Sequence, residues 1–187
     1  MMTANDIISQ VSIDTTLDPA CITPTEAYGG MRIHIAGQRL NAFVNETAHG
    51  WAEWQPEYVG KCLTTDMWTL LETTTAVLND PVAYQEWTVE FLELVFYIVV
   101  EPLDDETLRI AFRAGEALPP AEQDLNIVPQ AACGYPVATT AWAKAVLQAG
   151  QELRDELVEY GYDELGNGFD PLLNDLRAAL AAHEQMS

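Results

Sequence analysis

The chain has 187 residues, long enough for one domain with a sizeable core, and 49% of its side chains are hydrophobic, which excludes a disordered polyelectrolyte. Against that ordinary core stand 29 acidic and 8 basic side chains, a formal net charge of -21. A charge of that size repels nucleic-acid backbones and anionic membrane surfaces, so neither is an expected direct partner.

No stretch reaches the ~18 to 20 uninterrupted apolar residues that a membrane span needs, because Glu90, Glu93 and Glu101 break up the best candidate. Residues 1–10 contain no basic side chain and carry Asp6, unlike a secretory or mitochondrial leader, so a cytoplasmic location is expected. Cys21, Cys62 and Cys133 are widely spaced and form no CxxC pair. Reduced thiols are expected, with neither a disulfide framework nor a zinc site.

In chain order, residues 1–30 are rich in Thr, Asp and Pro and read as a loosely packed arm, with docking of Ile7, Ile8, Val11 and Ile13 as an edge strand or short helix the alternative. Residues 31–187 read as a single α+β domain. Met31, Ile33 and Ile35 alternate with Arg32, His34 and Ala36 and predict a strand over 31–40 with a bend near Gly37; a second strand is expected within 41–54. A helix in two pieces follows, over 57–63 and 66–78. Thr65 is its expected N-cap, Asp66 lies in the first turn, and Met67, Leu70, Leu71 and Leu78 share a face.

Residues 87–114 form the longest apolar segment, and the β-branched and aromatic run over 95–100 favours a strand over a helix. A long central hairpin is predicted, turning at Asp104 and Asp105, with Val99 opposite Ile110 and Tyr97 opposite Phe112. Residues 116–136 carry four prolines and read as a connection with a short strand within it. Thr139 or Thr140 then caps a helix whose Trp142, Val146, Ala149, Leu153, Leu157 and Tyr160 recur at helical spacing, ending at Gly161. A loop over 161–169 leads to a last helix opened by Asp170 and Pro171, with Leu172, Leu173, Leu176 and Leu180 on one side. The order of elements predicts an α+β fold: a mostly antiparallel sheet around the central hairpin, helices on one face, and two C-terminal helices.

No phosphate loop, dinucleotide fingerprint or nucleophile elbow is present. Glu90 and Glu93 as an acid and base pair, Cys133 as a nucleophile activated by His49, and a site near Glu101 are the weaker catalytic candidates. His34, His49 and Cys62 lack the spacing of a metal site, so no metal or cofactor is expected.

The oddest feature is an acidic stripe. Glu152, Glu156, Glu159 and Asp163 recur along one helix face with Asp155 and Glu164 beside them, and carboxylates near a helix C-terminus oppose its dipole by ~0.3 to 1 kcal/mol each. Local rules are broken most often where function requires it, so these six residues are the candidate partner-binding surface. The leading expectation is an acidic protein that neutralises or escorts a basic protein partner such as a toxin, nuclease or effector, in the manner of immunity proteins and inhibitors. The alternatives are a small enzyme near the hairpin, a nucleic-acid-mimicking inhibitor, and plain adaptation to a salt-rich cytoplasm.

Overall fold

The computed structural model describes residues 7–40, 62–81, 87–90, 96–114 and 133–186. The fold is α+β, and its strands divide into two small antiparallel sheets. The first contains β1 (Val11–Ile22), β2 (Ala27–Ile35) and β3 (Gln38–Arg39) in that order. The second contains β4 (Trp87–Glu90), β5 (Phe96–Pro102), β6 (Thr107–Ala114) and β7 (Tyr135–Ala138), again in sequence order.

The first sheet follows its period-two pattern. Ile13 pairs with Ile33 and Val11 with Ile35, and Ile13, Leu17, Met31, Ile33 and Ile35 face the core, while Ser12, Asp14, Thr16, Arg32 and His34 form the outer face. β1 therefore lies inside the stretch that composition suggested was a loose arm; Ile13 and Leu17 dock it as an edge strand. The bend expected at Gly37 is a two-residue turn, Ala36 and Gly37 both having positive φ, which matches the twist of paired strands.

The first arm of the expected hairpin, in which 87–94 suited a helix or a strand, holds two strands, β4 and β5. Trp87 pairs with Val100 and Glu90 with Tyr97, so the chain reverses between β4 and β5 and the hairpin is part of a meander. The register of β5 on β6 is also shifted by one residue from expectation: Ile98 faces Phe112 and Val100 faces Ile110, with Val99 opposite Ala111 and Tyr97 opposite Arg113. The turn decides it. The N–H groups of Leu103 and Asp104 both donate to the Thr107 carbonyl (2.9 and 3.3 Å), and Asp104 Oδ1 accepts from the Glu106 N–H (2.9 Å), making a four-residue loop. This register puts Ile98, Val100, Leu108, Ile110 and Phe112 into one continuous core with the first sheet and the helices. Glu101 and Arg109 are directly paired and hydrogen-bonded.

Four helices are described: α1 (Leu63–Asn79), α2 (Thr139–Glu159), α3 (Asp163–Asn167) and α4 (Asp170–Met186). α1 packs on β2, β4 and α4, and α2 packs on β1, β7 and α1. Thr65 is not the cap of α1. The helix starts two residues earlier, and Thr65 instead donates from its hydroxyl to Glu26 Oε2 (2.8 Å), with Thr64 donating to the other carboxylate oxygen. Glu26 thereby places its charge at the α1 N-terminus, where the dipole favours it. The threonines that weaken α1 as an isolated helix are held by packing: Thr74 Oγ1 accepts from the buried Trp142 Nε1 (3.2 Å), and Gly150 lets α2 approach Leu71 of α1 and Leu173 of α4.

The two sheets are joined through Ile8. Its N–H donates to the Pro136 carbonyl (2.9 Å) and its carbonyl accepts from the Ala138 N–H (2.8 Å), so it forms a parallel bridge beside Val137 of β7 before the chain enters β1. The strand expected within 41–54, the helical piece before residue 62 and most of the connection over 116–136, with the short strand that its apolar patch at 125–128 suggested, lie outside the described residues; β7 begins where that connection ends.

Candidate partner-binding surface

α2 divides cleanly by burial. Trp142, Ala143, Val146, Ala149, Leu153 and Leu157 are buried, and Glu152, Asp155 and Glu159 are exposed on the other side with Glu156 half-buried beside them. Neither Thr139 nor Thr140 caps the helix with its side chain; Ala138 holds the N-cap position, and Thr139 is the first helical residue.

The stripe does not run along one helix. α2 ends at Glu159 in a Schellman motif, with Gly161 at φ 84, its N–H donating to the Val158 carbonyl (2.9 Å) and the Tyr162 N–H donating to the Leu157 carbonyl (2.9 Å). Asp163 and Glu164 then begin α3, a short helix where a loop was expected. Two of the six carboxylates thus stand in the first turn of a helix, where negative charge is not opposed. Only Glu152, Asp155, Glu156 and Glu159 press on the α2 C-terminal half.

Of the cations near this surface, Arg154 engages one of its six carboxylates, Asp155, and the others bond elsewhere. Arg154 binds Asp155 (3.0 Å), Asp170 (3.1 Å) and Asn167 (3.3 Å), and these carboxylate bonds hold its guanidinium pKa above the ordinary value. Lys144 pairs with Glu184 of α4 at 2.7 Å, and Arg177 bonds the neutral Gln151 and Asn174. Glu152 accepts from the Gln148 amide (2.8 Å). Among the described residues, Glu152, Glu156, Glu159, Asp163 and Glu164 form no ion pair. Burial pushes the Glu156 carboxyl above its ordinary range, and the nearby Glu159 charge adds to the effect.

Tyr160 was expected on the apolar face. Leu157 is instead the last buried residue of α2, and Tyr160 at the C-cap is 48% exposed, flanked in sequence by Glu159 and, beyond the turn, by Asp163 and Glu164. Tyr162 turns inward, its hydroxyl donating to the Ile22 carbonyl of β1 (3.4 Å). The period of 3.6 places Tyr160 over the apolar stripe but does not show where the surface beneath that stripe ends. An aromatic beside several acids at the end of an amphipathic helix was the available signal.

The partners proposed for Glu90 and Cys133, Glu93 and His49, lie outside the described residues. Glu101 is bonded to Arg109, Cys133 is exposed, and Glu90 lies in β4. His34 faces Asp14 on the outer side of the first sheet (3.8 Å). The exposed Cys21 thiol has a raised pKa because of its hydrogen bond to Asp18, which disfavours the thiolate. Among the described residues, no group of three His, Cys, Asp or Glu is placed to hold a metal ion, and no helix is long and apolar enough to cross a membrane. Compared with protein-family models, curated proteins and solved structures, the chain returns no match.

Proposed function

We propose that the chain binds a basic protein partner through the surface formed by the end of α2 and the start of α3, in the manner of an inhibitor or escort. The observation that supports this reading is Tyr160, a large exposed aromatic next in the chain to Glu159 and shortly before Asp163 and Glu164, three carboxylates that form no ion pair among the described residues. Tyrosine brings apolar area with few rotatable bonds and a polar tip, and is enriched among the residues that dominate binding energies. Lysine and arginine side chains gain both Coulomb attraction from the carboxylates and a cation–π contact with the ring. The charge steers association, and the aromatic slows dissociation.

Parallel affinity captures from the native host test it, using the wild-type chain and the Tyr160→Ala and Glu159→Lys variants as baits. A basic protein retained by the wild type and depleted with both variants is the expected result. Tyr160→Ala alters exposed area, so its own stability should change by less than about 0.5 kcal/mol. Identical proteins retained by all three baits would sink the assignment.

A further inference from the structure

Among the described residues, β1 is a long strand with one partner. Val11 to Leu17 pair in continuous register with β2 on one side, and among the described residues the backbone of this run makes no ladder on the other. In an antiparallel pair alternate residues turn their N–H and C=O groups outward, so this run presents an open row of donors and acceptors. Past Leu17 the register breaks, with Asp18 Oδ1 accepting from the Ala20 N–H (3.1 Å) and Pro19 following Asp18. Its far end reaches the acidic turn, because Tyr162 bonds the Ile22 carbonyl next to Asp163 and Glu164.

Charge selects what this edge can accept. A second copy would bring Asp14 and Asp18 against their own kind and add another chain of net charge -21. A basic strand meets the opposite situation: attraction from Asp18, Asp163 and Glu164, and backbone partners along β1. We infer that the basic partner docks an extended segment antiparallel or parallel to Val11–Leu17, adding a strand to the first sheet while its cations reach the acidic turn. Main-chain bonding gives such an interface affinity without a defined side-chain sequence, and the alternating cations give it selectivity. The inference rests on the basic-partner reading and names the form the partner takes.

The probe is a peptide of about ten residues alternating Lys and Val, compared with one of equal charge alternating Lys and Pro, which lacks the N–H groups for a ladder. Both are titrated into the full chain at about 0.1 M salt, and amide hydrogen exchange is followed in each complex. The Lys–Val peptide should bind about tenfold or more tightly than the Lys–Pro peptide and slow exchange at residues 11–17. Equal affinities without protection there, or protection confined to other edge strands such as β3 or β4, would overturn strand addition. If both peptides still bind and Glu159→Lys weakens both, the acidic surface stands while the strand proposal falls. If neither peptide binds, both readings fall.

Discussion

Glu156 carries a measurable electrostatic burden. Partial burial and the neighbouring Glu159 raise its folded-state pKa above the ordinary glutamate value, so the folded chain holds this proton more readily than the unfolded chain does. Ionised Glu156 therefore opposes folding at neutral pH, and that opposition fades as pH falls through the raised pKa toward the unfolded one. Glu156→Gln should melt at a higher temperature than the wild type at pH 7, with the difference shrinking as pH falls through the raised pKa and gone once the unfolded-state carboxyl is protonated as well. Thermal melts of the two proteins across that range check it; a difference that grows on acidification contradicts the account. The six acids were legible as a group, because charge spacing is written in the chain. Thr65 and Tyr160 were not, since a cap depends on which long-range acceptor is near, here Glu26, and exposure depends on where the underlying core stops.

At the scale of elements, the strongest local signals were faithful. The apolar spacing of α2, the glycine that ends it, and the Asp170–Pro171 start of α4 all appear at or within a residue of expectation. Gly161 sits at φ 84 with nothing near a would-be Cβ, so Gly161→Ala introduces backbone strain without a clash. That substitution should cost about 1 to 2 kcal/mol in chemical denaturation with an unchanged denaturant slope. A neutral result would remove the Schellman turn as the device that separates α2 from α3 and exposes Tyr160. The hairpin register was not legible for a definite reason. Residues 96–100 are apolar at every position, so a one-residue slip exchanges one hydrophobic face for another, and only the bonding of Asp104 and Thr107 selects between them. β1 was obscured by its Thr, Asp and Pro content, which suits an edge strand as well as a loop.

For the whole molecule, the question is whether the acidity serves a partner or a salt-rich solvent. The core joins both sheets to all four described helices through Phe112, Trp142, Phe169 and their neighbours. A core of that extent outweighs repulsion spread over a surface, so the chain should melt cooperatively at about 0.1 M salt, where the Debye length is ~10 Å, and gain only modestly as salt is raised. Loss of the folded state at that ionic strength would make the acids an adaptation to salt. The net charge and α+β class were readable directly, whereas the division into two sheets depended on pairings that composition does not encode.

The central claim, that the acids at the end of α2 and the start of α3 steer a basic partner, is tested most directly by association kinetics. The basic protein captured by the wild-type chain is mixed with wild type and with a variant carrying Glu152→Lys, Glu156→Lys, Glu159→Lys and Asp163→Lys, at about 0.05 and 0.5 M salt. The account predicts an on-rate about tenfold or more slower for the variant at low salt, converging with wild type at high salt, while circular dichroism shows the same fold. An unchanged low-salt on-rate in a folded variant would contradict it.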